Sequence, residues 1–510
     1  MASNTAVATG GPRYSAHATG QPVALITITV MLGMIMAIID STIVNVAIPN
    51  IGGNLGASVD EVSWVVTGYI LASVIVMPLN GWLTAYFGRK NFYAASLVLF
   101  TLASILCGTA TSIWQLVAYR VIQGFGGGAL QPTAQAILFE TYPPERRGQA
   151  MAIFGLGAMV GPAVGPVLGG YIVDNANWPL IFYINIPIGI VAIIMTMLYI
   201  PNPHFIAKVK GSVDWLGLGL LTAGLSSLQY VLERGEHDDW FSSSTIVLLT
   251  VLSIVTLVWF VWKTLRDKYP LVDIRVFRFR TFTIGNIMGV VMGFGLFGTA
   301  LILPLFLQTI LGDTAYDTGV ALLPGALATA VSMLIVGRLI GRVDARILVA
   351  FGMLLFAWST WDMGYLTSQS GYWNFFFPRA FQGLALGFMF VPLSTVTLGA
   401  VPIAELAGAT GVSVLLRQLG GSFGIAILTT LLTHQGAVAY TELASGVTNA
   451  HGYSIAVLTG LVSQQAITIA YDYLFRLTAI IFVICTPFVF FMRPPRDVRA
   501  AAAAAATAAE

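Results

Sequence analysis

The chain has 510 residues, 57% of them hydrophobic and 9% charged, with a formal net charge of +2 and a mean hydropathy of +0.84. A soluble domain carries about 25% charged residues, so most of this chain belongs in lipid. The near-neutral balance gives no bulk electrostatic case for nucleic acid. Two cysteines, Cys107 and Cys485, each lie inside a long apolar run and read as small buried hydrophobes rather than a disulfide or metal pair.

Residues 1 to 22 are polar and lack the basic stretch and apolar core of a cleaved signal, so they read as a cytoplasmic tail and the first apolar run as a retained span. A helix crossing about 30 Å of hydrocarbon needs about 20 mostly apolar residues. On that ruler fourteen spans follow: 23 to 43, 62 to 83, 92 to 111, 113 to 138, 150 to 172, 180 to 200, 214 to 232, 243 to 264, 282 to 307, 317 to 337, 346 to 366, 374 to 400, 409 to 433 and 474 to 492. The segment 434 to 473 reads as an external loop around a short apolar stretch, 453 to 461, suited to the membrane surface or an external helix. The Ala-rich end, within 493 to 510, is low-complexity and reads as a second cytoplasmic tail.

Lysine and arginine then fix the orientation, because they accumulate in short cytoplasmic loops. With the N-terminus inside, those loops hold Arg13, Arg89, Lys90, Arg146, Arg147, Lys208, Lys210, Lys263, Arg266, Lys268, Arg275, Arg278, Arg280, Arg338, Arg342, Arg346, Arg493, Arg496 and Arg499. The outer loops hold Arg234 alone. An even number of spans with both termini cytoplasmic follows.

The chain also repeats. RVIQG at Arg120 to Gly124 returns as RAFQG at Arg379 to Gly383, 259 residues on, and Pro132 and Pro143 are echoed by Pro392 and Pro402. Two six-span bundles, 23–200 and 282–492, are expected, with spans 7 and 8 and their flanking loops, 201–281, inserted between them. Parallel six-span repeats suit a transporter with a central site and alternating access by rocking.

Several stretches carry a resemblance: IIDSTIVNVAIPNIGGNLG in span 1, RVIQGFGGG in span 4, GPAVGPVLGGYI in span 5, IFYINIPIG opening span 6, DWF at 239 to 241 and LLRQLGGSFG in span 13. With these, nearly the whole chain resembles the major facilitator superfamily, and within it the fourteen-span drug:proton antiporters of the EmrB and QacA type. The resemblance implies an all-α polytopic membrane fold and proton-coupled export of hydrophobic toxic compounds across a bacterial inner membrane. It also implies, in a Gram-negative host, an EmrA-like periplasmic adaptor and a TolC-like outer-membrane channel as partners. The alternative within transport is export of one defined metabolite, siderophore, antibiotic or lipid. The loop GWLTAYFGRK, with Gly81, Gly88, Arg89 and Lys90, departs from the superfamily pattern. Ala85 stands where an Asp is usual and Tyr86 where a basic residue is, so the usual charge clamp lacks its acid there. Asp344, beside Arg338, Arg342 and Arg346, is the candidate for the corresponding contact in the second half.

An ionisable side chain at membrane depth is costly unless paired or hydrated, which makes it a functional candidate. Asp40 and Arg120 lie at similar depth on spans running in opposite directions. A desolvated carboxylate that is charged when paired with arginine can take up and release a proton, so Asp40 is the expected coupling residue, with Arg120 and Gln123 as partners. A fixed structural ion pair, or a helix-end cap by Asp40, is the competing reading. Asp362 and Arg379 are placed to pair with each other. Arg417 either bonds backbone carbonyls between helices or contacts substrate, and Arg476 at a span end reads as snorkelling. Gly161, Gly165, Pro166, Gly169 and Gly170 give span 5 a small-residue face and a kink, suited to gating or to plain close packing. Thr42 and Asn45 in the span 1 signature, and Met34, Phe125, Phe294, Phe297, Phe388 and Met389, fall on spans that the resemblance assigns to the cavity lining. Any one of these apolar residues more often faces lipid or core than a cavity.

Three matches to enzyme patterns are set aside: GFGGGA at 124 to 129, GFGLFG at 293 to 298 and GGSFG at 420 to 424 all lie in apolar runs without the strand those patterns require. There is no P-loop, and none of the five histidines stands in a metal-ligand spacing. The expectation is a transporter rather than an enzyme, with no cofactor and no metal, energised by the proton gradient and not by ATP. A receptor or membrane enzyme without transport finds no catalytic constellation to support it.

Overall fold

A backbone group in hydrocarbon has no water to bond, so each apolar run must satisfy its amides internally, and it does so as a helix. The computed structural model describes residues 22–202, 213–446 and 455–492, less the side chains of Val59, Val160, Ala163, Ala315 and Tyr316. Most of both proposed tails, with Arg13, Arg493, Arg496 and Arg499, and the loop residues Lys208 and Lys210, lie outside the described residues. Among the described residues fourteen helices reach membrane-crossing length: α1 Val23–Leu55, α2 Val59–Phe87, α3 Arg89–Gly108, α4 Ile113–Thr141, α5 Arg147–Asn175, α6 Leu180–Tyr199, α7 Trp215–Arg234, α8 Ser244–Arg266, α9 Arg280–Phe306, α10 Ala315–Leu339, α11 Ala345–Met363, α12 Tyr372–Gly399, α13 Leu406–Ser445 and α14 Ile455–Cys485. Twelve are long and apolar enough to cross a membrane on composition alone. The other two are α4, which carries Arg120 and Gln123, and α11, which carries Ser359, Thr360 and Asp362.

Local chemistry sets the ends. Gly56 closes α1 in the left-handed region (φ 63°), where a side chain would be strained. Ser58 and Glu61 then form a reciprocal capping box that starts α2 two residues later. The helix α6 is interrupted at Ile184, and Pro187 sits in the first turn of its second segment, Asn185–Tyr199, where a missing N–H leaves nothing unpaired.

One expectation is corrected. Among the described residues the expected external loop 434–473 is helical: residues 434–445 prolong α13 and residues 455–473 begin α14, in line with the external-helix alternative, while 447–454 lie outside the described residues. The 40 residues of α13 run about 60 Å, well beyond the hydrocarbon, so the helix continues where hydropathy no longer reports it.

Packing groups α1 to α6 around one another and α9 to α14 around one another, and α7 and α8 pair as a hairpin, with α7 resting on both α2 and α13. The two sets meet through α2 on α13 and α5 on α10, with α4 on α13 and α5 on α12 beside them. The first two pairings exchange under the repeat, since α2 corresponds to α10 and α5 to α13. They close at the end that bears the Arg/Lys loops. There the Asn80 amide donates to the Ala407 carbonyl at 2.8 Å, and a Cβ on Gly81 would lie 2.7 Å from Cα of Gly408. On the other pair, a Cβ on Gly337 would lie 2.8 Å from the Ala152 Cβ, and one on Gly148 would lie 2.9 Å from Ile340.

Candidate functional site

The glycine-rich stretch of α4 is the local device that builds the site. Added Cβ atoms would lie 2.4 Å from the Tyr69 carbonyl oxygen at Gly124, 2.8 Å from the Phe100 amide nitrogen at Gly126 and 2.5 Å from the Ser73 carbonyl oxygen at Gly128. Only glycines let α4 approach α2 and α3 so closely, which is the physical content of a pattern that elsewhere binds phosphates. That approach brings Arg120 and Gln123 against α1.

Asp40 and Arg120 are both fully buried, and the Arg120 Nη1 donates to Asp40 Oδ2 at 2.5 Å and to Gln123 Oε1 at 2.6 Å. The second carboxylate oxygen, Oδ1, accepts from Gln123 Nε2 at 3.0 Å and from Asn185 Nδ2 at 2.7 Å. Both amides also reach the Ser104 hydroxyl, at 3.2 and 3.0 Å, and Ser104 in turn donates to the Phe182 carbonyl at 2.9 Å. The Arg120 Nε donates to the Val65 carbonyl at 3.2 Å, and the guanidinium lies 4.4 Å from the centroid of the Tyr69 ring, a cation–π contact. Five helices therefore build one polar cluster around the carboxylate: α4 and α6 bond Asp40 of α1 directly, and α2 and α3 hold the groups that do. The three residues expected together are together.

From Asp40 the next turn of α1 leads into α5. The Thr42 hydroxyl donates to the Gly161 carbonyl at 3.0 Å, and an added Cβ on Gly165 would lie 2.0 Å from Thr42 Oγ1. Gly161 packs on Ile38 and Gly169 on Ile43, so three of the named glycines form the α1–α5 contact. Gly170 does not, its Cβ position meeting nothing nearer than Val46 at 3.9 Å, and Pro166 is exposed.

The remaining candidates scatter. Met34 is buried against Gly157 of α5, while Asn45 and Phe125 are exposed. Phe294 and Phe297 sit where α9 crosses Gly424 and Gly421 of α13. Phe388 and Met389 do not face the first set: Phe388 packs edge-to-face on Phe351 of α11, and Met389 is enclosed within the second set among Met288, Met292, Met353 and Phe482. The residue that does cross is their neighbour Phe390, stacked on Phe154 of α5 with centroids 6.0 Å apart. Successive residues on a helix point about 100° apart, so a one-residue error turns a lining residue into a core one.

The loop candidates are at the Arg/Lys end. Gly88 takes φ 82°, the Lys90 amide donates to Asn202 Oδ1 at 3.0 Å, and Arg89 forms a buried two-pronged ion pair with Glu140 at the end of α4. With Ala85 offering no acid in this loop, the acid that meets Arg89 is Glu140. Asp344 caps α11 and pairs with Arg346 at 3.3 Å, a contact within its own turn. Among the described residues Asp362 and Arg379 form no ion pair; Asp362 is exposed and Arg379 donates to Gln382. Arg476 is partly exposed and donates to the Gly364 carbonyl at the end of α11.

Sequence reasoning missed Ser104, Asn185 and Glu140. Asn185 was legible as an amide inside the apolar run IFYINIPIG; Ser104 gave no signal, and Glu140 looked like a loop acid at a span end.

The model of the Major Facilitator Superfamily matches residues 30–425. The chain is 36% identical over 499 residues to the multidrug export protein EmrB of Escherichia coli (strain K12), covering 93% of this chain and 96% of that one. It is 34% identical over 494 residues to the fatty acid resistance protein FarB of Neisseria gonorrhoeae, covering 93% and 97%. Among solved structures it is similar to the human organic anion transporter MFSD10 (TETRAN), with a TM-score of 0.60 at 14% identity over 90% of this chain and 99% of that one. It is also similar to the proton:xylose symporter XylE, with a TM-score of 0.59 at 15% identity over 92% and 96%. At those identities the likeness is one of fold.

Proposed function

This chain belongs to the major facilitator superfamily, in its EmrB-type branch, and we propose that it exports hydrophobic toxic compounds across a bacterial inner membrane in exchange for protons. The observation that carries the exchange is the buried carboxylate of Asp40, held by one guanidinium and two amides with no exposure of its own. Protonation removes the charge that Arg120, Gln123 and Asn185 are arranged to meet. The arginine is then left with a glutamine, a carbonyl and a ring face, and the α1 turn that carries Asp40 is released from its strongest tie. The same turn holds Thr42 on α5, and the far end of α5 closes against α10 at the Arg/Lys end. A proton taken up at Asp40 in this way biases the closure between the two sets, and alternating access follows as rocking about their meeting surface.

The positive-inside count supports cytoplasmic termini, and with them closure of the cytoplasmic end in the conformation described. The EmrB likeness supports cargo of the multidrug kind and, in a Gram-negative host, delivery through an EmrA-like adaptor to a TolC-like channel. No cofactor enters this reading. The FarB likeness favours a second, narrower cargo range centred on fatty acids. Growth of a pump-deficient strain on a toxin panel separates the two, since protection against one compound class alone removes the multidrug reading. The coupling is tested in proteoliposomes with an imposed pH gradient. Asp40→Asn is expected to abolish gradient-driven flux while leaving the folded yield intact; a variant that still couples overturns the assignment.

A further inference from the structure

We propose that Arg417 is an anion anchor that selects cargo with an apolar body and one negatively charged head, such as a carboxylate, sulfonate or phenolate. The inference rests on the export reading above and narrows its substrate class. The first set neutralises its buried guanidiniums with acids, Arg120 with Asp40 and Arg89 with Glu140. The second set treats Arg417 differently. Among the described residues it has no carboxylate in ion-pair range and no hydrogen bond to side chain or carbonyl, and its Nη2 is buried without a partner. Its guanidinium carbon lies 5.1 Å from the centroid of the Phe390 ring. Arg476 of the same set, by contrast, donates to a backbone oxygen, that of Gly364. One turn earlier on the same face of α13, the Ser413 hydroxyl is also buried without a partner.

Position adds the apolar half of the argument. Arg417 lies where α13 passes α9, its carbonyl oxygen against Gly293, and Phe390 reaches from α12 across to Phe154 of the first set. The remaining donors thus border the surface where the two sets meet, beside aromatic rings. A guanidinium and a hydroxyl facing no acceptor, next to apolar walls, complement an anionic head on a greasy tail. A guanidinium donates only, so it offers a lipophilic cation nothing and repels it.

The test is equilibrium binding to the purified full-length chain in lipid nanodiscs without a pH gradient, using dodecanoate, uncharged dodecanol and the tetraphenylphosphonium cation as probes. Wild type is expected to bind dodecanoate more tightly than either other probe. Arg417→Gln is expected to weaken dodecanoate by about 10- to 100-fold, the range of one charge-assisted hydrogen bond, and to leave dodecanol unchanged. Ser413→Ala, which keeps the charge, is expected to weaken dodecanoate a few-fold, and it reads the site even if Arg417→Gln does not fold. Equal binding of dodecanoate by wild type and Arg417→Gln overturns the proposal, as does parallel loss of dodecanol, or no preference for dodecanoate in wild type. Because no gradient is applied, failure here is distinct from failure of the Asp40 coupling, which is read in flux.

Discussion

Gly81 offers a direct handle on the closure between the two sets. A Cβ there would lie 2.7 Å from Cα and 2.9 Å from N of Gly408, both backbone atoms that cannot rotate away. Ordinary carbon contacts are about 3.5–4.0 Å, so α2 and α13 must separate by roughly an ångström for alanine and by more for valine. The two helices belong to different sets, so relief comes from parting the sets at this end and stretching the Asn80–Ala407 bond. Overpacking of this kind costs about 1–3 kcal/mol, and its midpoint, about 2 kcal/mol, is roughly a 30-fold shift in the closed-to-parted equilibrium. The reverse position behaves differently, because a Cβ on Gly408 would meet only the Gly81 Cα at 3.9 Å. Electron–electron distance measurement between spin labels at Phe87→Cys and Val343→Cys, both exposed and one on each set, reads the outcome in a background lacking Cys107 and Cys485. Gly81→Val is expected to move the distribution to longer distances, and Gly408→Ala to leave it in place. A folded Gly81→Val protein with the wild-type distribution refutes the reasoning.

Two other perturbations probe the first set. Gly165→Ala puts a methyl 2.0 Å from the Thr42 hydroxyl oxygen and is expected to lower the melting temperature in detergent, whereas Gly170→Ala, with open space to Val46, is expected to be silent. Glu140→Gln removes the carboxylate of the buried Arg89–Glu140 pair, a loss of up to about 3–5 kcal/mol, while the apolar double variant Arg89→Met/Glu140→Leu is expected to lose less. Thermal unfolding of the three proteins decides that order.

Span positions were legible in the sequence because the bilayer imposes a length and an apolar character on anything that crosses it. Asp40 and Arg120 stood out for the same reason, as charges in apolar runs. The packing of the helices was not legible. Ser104 and Asn185 are neutral, and the Asn185 amide meets Asp40, with the Ser104 hydroxyl bracing it and Gln123, only once α3 and α6 are folded against α1. Met389 and Phe390 are both apolar and adjacent, yet one is enclosed within the second set and the other meets Phe154; lipid, core and interface all accept such side chains, so hydropathy cannot rank them. The prolonged α13 escaped for the opposite reason, since beyond the hydrocarbon a helix no longer needs to be apolar. Composition and run length thus settled that the chain crosses the membrane and where its rare charges lie. Which groups those charges meet was decided by close helix approaches, set by the glycines of α4, α5 and α13, that exist only in three dimensions.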